Sequence, residues 1–145
     1  MMSKATDNIQ FHYLVKGFSF PQRTQCKSFI QRLFKKEKKP LDSLNFIFCS
    51  DEYLLEINRN YLNHDYYTDI ITFDLSEAGA PITGEIYISI DRVRDNANNH
   101  DQSFKRELHR VIFHGALHLC GYGDKSQEEE VIMRKLEDKY LDMYM

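Results

Sequence analysis

Apolar and polar positions along this chain follow two different spacings. Short segments rich in β-branched, aliphatic and aromatic residues predict strands, and longer segments with apolar residues at helical spacing predict helices. The predicted strands cover residues 9–15, 44–49, 69–73 and 84–90, and the predicted helices cover 21–40, 51–61, 91–99, 103–121 and 126–144. Strands interleaved with helices, without a linker or an internal repeat, predict one domain over residues 1–145. Its class is α+β or layered α/β, with a small sheet of about four strands flanked by helices.

Two of the predicted helices carry recognisable end signals. Ser126 and Glu129 form the Ser-x-x-Glu pattern of a capping box, which predicts that the last helix begins there. Gly121 follows a long apolar run and can adopt the left-handed conformation that ends a helix and turns the chain back. The residues directly after Gly121 are therefore expected to return towards the end of that helix.

The composition is that of an ordinary globular protein. Apolar residues make up 42% of the 145 residues and aromatic residues 13%, which excludes a disordered or low-complexity chain. The formal net charge of −3 means that a polyanion would have to bind to a local basic patch, because the protein as a whole does not attract it. The run 35–39 is one candidate patch, although lysines at the end of a helix also complement the helix dipole.

Cysteine usage and the N-terminus predict a cellular location. The three cysteines, Cys26, Cys49 and Cys120, are isolated from one another, and an odd number without a Cys-x-x-Cys pair is not a disulfide framework or a thiolate zinc site. The N-terminal residues show no apolar signal core, and no segment is long and apolar enough for a membrane helix. We therefore expect a cytoplasmic protein without membrane partners.

Two histidines interrupt the most apolar helical segment. His118 follows His114 by four residues, which places it about 40° around the helix axis and about 6 Å further along it. The two imidazoles can therefore converge on one metal ion at the border of the apolar face. The alternative, a pair of buried histidines that bond to backbone carbonyls, remains open at this stage.

The turn after Gly121 supplies a candidate third ligand. If the chain folds back, Asp124 approaches the two histidines, and three protein ligands with an open position are typical of a catalytic zinc site. Such an ion can lower the pKa of a bound water and polarise a substrate oxygen. Gly115 stands where the His-Glu-x-x-His helix of zinc peptidases has its general base, so a peptidase of that type is not expected.

Three segments together resemble the YbeY family of bacterial endoribonucleases. Residues 114–122 read H-G-A-L-H-L-C-G-Y and are similar to the family pattern H-G-x-L-H-L-x-G-Y-D-H. Residues 57–73 resemble L-N-x-x-Y-R-x-K-D-x-P-T-D-V-L-S-F, and residues 84–88 resemble G-D-I-x-I. The three matches occur in the family's order, and their combination is more specific than any one of them.

The chain departs from the family patterns at two positions. Asp124 falls where the family has its third histidine ligand, so a carboxylate would replace an imidazole, a combination known in catalytic zinc sites. Leu62 stands where the family has the arginine expected to meet RNA phosphate. Arg59 lies three residues earlier on nearly the same helix face, and we take it as the candidate replacement, with a solvated arginine as the alternative.

The resemblance implies a fold and a function. It implies a mixed sheet flanked by helices, one bound zinc or other divalent ion, and a single-strand-specific endoribonuclease. Its partners would be single-stranded RNA, 16S rRNA and the small ribosomal subunit, with roles in 16S rRNA 3′ end maturation and ribosome quality control. We hypothesise that His114, His118 and Asp124 hold the ion, which coordinates a phosphate oxygen and a water. The alternatives are a non-catalytic ribosome assembly or RNA-binding factor with a structural metal, and a metal-dependent hydrolase of a small substrate.

Further residues are candidates for contacts with RNA or for catalysis. Single-stranded RNA needs cations for its backbone and flat rings for its bases, for which we select Arg59, Lys36 and Tyr66. Glu85 is a candidate catalytic carboxylate, although its strand position also suits a hydrogen bond at a sheet edge.

Overall fold

Four strands form one mixed sheet, with five helices around it. The structure is a computed structural model, and it describes residues 8–145. In chain order the elements are β1 (Ile9–Tyr13), α1 (Arg23–Lys36), β2 (Leu41–Cys49), α2 (Asp51–Tyr61), β3 (Ile70–Asp74), β4 (Ile82–Ser89), α3 (Ile90–Asn99), α4 (Phe104–Leu119) and α5 (Gln127–Tyr144). The prediction of an α+β fold with a small mixed sheet is confirmed.

The strand order is β1-β2-β4-β3. The strands β1, β2 and β4 run parallel, and β3 pairs antiparallel with β4 at one edge. The strand β2 begins at Leu41, before the predicted residue 44, because pairing with Ile82 extends it. Its first residues are polar or partly exposed, so hydrophobicity alone did not mark them.

The larger part of the core lies between one face of the sheet and α1, α4 and α5. Gly115 of α4 lies so close to the sheet that a Cβ atom there would come within 2.9 Å of Ile70 Cδ1 and of Ile86 Cγ2. This glycine therefore lets the histidine-bearing helix pack directly on β3 and β4. The same contact explains why the position has no room for the glutamate that zinc peptidases carry there.

The helix α2 packs on the opposite face of the sheet. A smaller apolar cluster joins Leu54 and Ile57 of α2 to Cys49 and Ile71, with Phe73 and Tyr87 against it; no residue is shared with the larger core. Because successive residues of a strand point to opposite faces, β3 and β4 present alternate side chains to the two helical layers. This alternation decides which strand residues can reach the site.

Side-chain caps begin four of the helices. Ser50, Ser89, Ser103 and Ser126 each accept a hydrogen bond from the backbone N–H three residues later. The predicted capping box is present, since Glu129 also bonds back to the Ser126 N–H. Gly121 has a φ of 107°, so the predicted turn after α4 uses the backbone conformation that favours glycine.

No helix within residues 8–145 is both long enough and apolar enough to span a bilayer. The three cysteines are unpaired and buried. Burial raises the pKa of the Cys49 and Cys120 thiols to about 12, so both remain neutral and poor metal ligands.

Candidate metal centre and its cleft

The two histidines of α4 and the aspartate beyond it meet at one point. His114 Nε2 lies 3.2 Å from Asp124 Oδ2, and His118 Nε2 lies 3.3 Å from the same oxygen. The three side chains are partly exposed, and their candidate ligand atoms all lie within 4.8 Å of one another. The helix places the histidines on one face, and the turn at Gly121 returns Asp124 to them, as the spacing predicted.

These separations suit a shared divalent ion. Zinc–nitrogen and zinc–oxygen bonds of about 2.0–2.2 Å in a tetrahedron place neighbouring ligand atoms about 3.3–3.6 Å apart. An N–H···O hydrogen bond is about 2.7–3.2 Å long and most often 2.9–3.0 Å, so the two observed separations lie at or just beyond the upper end of that range. Two imidazole nitrogens and one carboxylate oxygen are also a donor set that zinc accepts. The residues present therefore fit the ion.

A buried carboxylate fixes the orientation of His114. Its Nδ1 lies 2.6 Å from Glu137 Oε2, and the other carboxylate oxygen, Oε1, accepts a hydrogen bond of 3.0 Å from Arg110 Nη1. Glu137 is only 5% exposed. An imidazole that donates from Nδ1 leaves the Nε2 lone pair free, and this is the nitrogen that faces His118 and Asp124.

The same contacts shift the acid–base equilibrium of His114. Burial lowers its pKa, but the hydrogen bond to Glu137 and the charges of Glu137, Asp124 and Asp69 act in the opposite direction and leave the pKa raised. In the metal-free protein this histidine therefore keeps its proton to a higher pH than an exposed one.

The cluster of His114, His118 and Asp124 lies in a cleft with a volume of about 650 Å³. Its walls come from α4, α5, β3 and the loop between α2 and β3. Asp69 lies in this cleft, and burial raises the pKa of its carboxyl group. The residues that line the cleft include Tyr66, Thr72, Lys125 and Arg134.

Comparisons with known proteins identify the family. Residues 15–145, which include the whole cluster, match the family model described as Endoribonuclease YbeY. The chain belongs to the YbeY family. A relative named Endoribonuclease YbeY from Cytophaga hutchinsonii is 52% identical over 126 residues, which cover 87% of this chain and 88% of the relative. One of the same name from Flavobacterium psychrophilum is 46% identical over 136 residues, or 94% of this chain and 96% of the relative.

The fold is also similar to that of a solved structure. The solution structure of a Thermotoga maritima protein matches with a TM-score of 0.67 and 31% identity, over 94% of this chain and 88% of that one. The resemblance inferred from three short motifs therefore extends over almost the whole chain.

The two departures from the YbeY patterns have different structural settings. Asp124 lies where a third ligand is needed, so its carboxylate oxygen can replace an imidazole nitrogen. Leu62 lines the cleft, whereas Arg59 is not among the residues that line it. Arg59 instead bonds to Asp65 at 2.5 Å and pairs with Glu56 at 3.3 Å. Arg59 therefore does not lie near the cluster of His114, His118 and Asp124.

Glu85 and Lys36 also lie away from the cluster. Glu85 shares a face of the sheet with Tyr87, whose hydroxyl donates to Glu85 Oε1 at 3.2 Å. Glu85 and Tyr87 face α2. Ile86 lies between them in β4 and points to the opposite face of the sheet, where α4 packs. Lys36 is exposed at the end of α1 and lies outside the cleft. Glu85 therefore lies on the opposite face of the sheet from the two histidines, and its role as a catalytic carboxylate stays a prediction.

Tyr66 is the predicted RNA contact that the structure places in the cleft. Its ring stacks on that of His64, with centroids 5.1 Å apart and planes at 21°, and its hydroxyl lies 3.0 Å from His64 Nδ1. Its backbone carbonyl accepts a hydrogen bond from the buried Asn58 side chain, which fixes the loop. Tyr66 is 56% exposed, so one ring face remains open.

Sequence reasoning missed three residues at this site. Glu137 is 23 residues beyond His114 in the chain, and only the packing of α5 on α4 makes them neighbours. Lys125 and Arg134 supply cations to the cleft wall. The buried polar position of Glu137 within an otherwise apolar helical face was the one signal in the sequence, since buried carboxylates require partners.

Proposed function

We propose that this chain is a zinc-dependent endoribonuclease that cuts single-stranded RNA in the cytoplasm. Its substrate would be 16S rRNA, at the maturing 3′ end and in the quality control of the small ribosomal subunit. The observation that supports this most strongly is the cluster of His114, His118 and Asp124 within a cleft, in a chain whose relatives are named endoribonucleases.

Each residue of the cluster would have a defined role. His114 and His118 would bind the ion through Nε2, and Asp124 through Oδ2. Glu137 would hold His114 in the tautomer that leaves Nε2 free. A divalent ion in this position supplies an electrophile for a phosphate oxygen and lowers the pKa of a water to near neutrality.

The cleft suits a strand with unpaired bases. The open ring face of Tyr66 can stack on a base only where that base is not already paired and stacked in a duplex. Lys125 and Arg134 line the same cleft and can contact phosphates on either side of the cut. These contacts support a preference for single-stranded RNA over a duplex.

Zinc is the expected metal, and the cytoplasm is the expected location. Two histidines and one carboxylate form a known catalytic zinc set, whereas magnesium prefers oxygen ligands and keeps several waters. Unpaired, buried cysteines are compatible with a reducing compartment. Both expectations are open to direct measurement.

The test combines metal analysis with RNA cleavage. The purified protein should contain about one zinc per chain, cut a single-stranded fragment of the 16S rRNA 3′ region, and lose cleavage on treatment with a chelator. His114→Ala should lose both the bound metal and the cleavage. A duplex of the same sequence should be cut more slowly.

A second histidine variant serves as the control. His12 is exposed and bonds to Asn45 on the sheet, so His12→Ala removes an imidazole without affecting the cleft. It should retain the metal and the cleavage. Cleavage by metal-free His114→Ala protein at the rate of the control would refute the assignment. Metal-loaded protein that binds RNA without cutting it would favour a non-catalytic assembly factor instead.

A further inference from the structure

Five cations cluster where α1 ends, outside the cleft. We call the following residues the basic end of α1: Arg32, Lys35, Lys36, Lys38 and Lys39. All five are exposed, and none forms an ion pair with an acid within residues 8–145. Arg32, Lys35 and Lys36 follow the helical spacing i, i+3 and i+4, which gathers them on one side of the last turns of α1, and Lys38 and Lys39 follow directly after the helix ends. A chain with a net charge of −3 therefore carries one locally positive surface.

The acid within this segment is turned inward. Glu37 is the one carboxylate within residues 31–41, and both of its oxygens are bonded to tyrosine hydroxyls. Tyr122 donates to Oε1 at 2.7 Å, and Tyr140 of α5 donates to Oε2. Because its oxygens are occupied, Glu37 forms no ion pair with the neighbouring lysines, which remain open to an external anion.

Lys38 holds a backbone conformation that normally requires glycine. Its φ is 59°, its N–H bonds to the Lys35 carbonyl, and the N–H of Lys39 bonds to the Phe34 carbonyl. This is a Schellman motif with lysine in the left-handed position, where glycine has no steric cost. Attraction to the helix dipole accounts for Lys35 and Lys36 in the last turn, but it does not require a lysine at this strained position.

The basic end of α1 is joined to the metal centre by a short path. Tyr122, which bonds to Glu37, lies in the turn between His118 and Asp124. The carboxylate that anchors the end of α1 therefore contacts the segment that carries the third metal ligand.

We propose that the basic end of α1 is a second RNA-binding surface, which holds phosphates of the strand outside the cleft. This inference rests on the proposed function, because the cleft and the surface would share one substrate. The recognised chemistry is the phosphate backbone, so binding should be independent of sequence and sensitive to salt.

The test compares two variants with the same loss of charge. The first is the triple variant Lys35→Gln, Lys36→Gln and Lys39→Gln, and the control is Lys16→Gln, Arg23→Gln and Lys105→Gln, which are exposed cations elsewhere. Affinity for a fluorescent 2′-O-methyl oligonucleotide of about 30 nucleotides is measured by anisotropy on the metal-loaded proteins. The first variant should bind about tenfold more weakly than the control, with a salt slope smaller by about 2, or about 0.7 per lost contact.

The length of the RNA separates this inference from the proposed function. A substrate of about six nucleotides fits within the cleft, so the triple lysine variant should lose less of its cleavage rate on this substrate than on an RNA of about 30 nucleotides. Equal affinities of the two triple variants for the long oligonucleotide would overturn the inference. Wild-type protein that cuts no RNA would overturn the proposed function, while the binding comparison would still decide whether this surface holds RNA.

A single substitution tests the strained lysine. Lys38→Gly should raise the midpoint of thermal unfolding, because glycine relieves the left-handed backbone, and should weaken binding to the long oligonucleotide. A stabilised variant with unchanged RNA affinity would remove Lys38 from the proposed surface. Lys38→Arg, which retains the charge, should bind as the wild type does.

Discussion

The contact between Glu137 and His114 can be tested without changing the shape of the buried side chain. In Glu137→Gln the amide keeps the volume of the carboxylate but has one acceptor oxygen. The wild type uses both oxygens, one for Arg110 and one for His114. The variant must therefore leave one donor without an acceptor or turn the imidazole to the other tautomer, in which Nε2 carries the proton.

The expected loss follows from the bond that is removed. A hydrogen bond to a charged group contributes about 1.5–3 kcal/mol, and about 1.4 kcal/mol corresponds to a tenfold change in an equilibrium constant. The zinc dissociation constant of Glu137→Gln should therefore rise by about tenfold to a hundredfold. This is the range found when the hydrogen-bond partner of a metal-binding histidine is removed. Competition with a chromophoric chelator measures it directly.

A neighbouring carboxylate provides the control. Asp138 Oδ1 lies 2.9 Å from the same Arg110 nitrogen but is not a partner of His114. Asp138→Asn should therefore retain the zinc affinity of the wild type. The ¹⁵N shifts of His114 should report a proton on Nδ1 in the wild type and in Asp138→Asn, and a mixture of tautomers in Glu137→Gln. Equal zinc affinities of the two variants would show that Glu137 does not act through His114.

Four further perturbations follow from the structure. Gly115→Ala should lower the free energy of unfolding by about 1–3 kcal/mol, because the new methyl group meets the stiff Cγ2 of Ile86 at 2.9 Å; an unchanged denaturant midpoint would contradict that packing. Leu62→Arg places a cation in the cleft and should tighten single-stranded RNA binding a few-fold, with a salt slope steeper by about 0.7; affinity equal to the wild type would mean that this wall does not face the strand. Tyr66→Ala should weaken RNA binding by about 1–3 kcal/mol while Tyr66→Leu recovers little, since the flat ring provides the stacking; anisotropy titrations distinguish the two from the wild type. Because the pKa of His114 is raised, zinc affinity should begin to decrease above about pH 6.5 as the pH is lowered. In the metal-free protein, the protonated His114 should stabilise the fold below about pH 6.5, and this stabilisation should be lost as the pH rises through the raised pKa. A zinc affinity that does not change between about pH 8 and pH 6 would contradict the direction of the pKa shift.

Local patterns in the sequence determined the helices and strands and brought the three candidate metal ligands together. The helical spacing of His114 and His118, the capping box at Ser126 and the glycine at position 121 each depend on residues within one or two turns of one another. Such features are fixed by backbone geometry, so spacing alone placed two imidazoles together and returned Asp124 to them. The three motifs also indicated the YbeY family correctly.

Only the tertiary structure decided which distant residues support the metal centre. Arg59 lay on a suitable helix face but is engaged by Asp65 and Glu56, and Glu85 is separated from the histidines by the sheet itself. Glu137 reaches His114 because α5 packs against α4, a contact between residues far apart in the chain. Spacing along one helix follows from covalent geometry, whereas these contacts depend on how whole elements pack, and no local pattern encodes that arrangement.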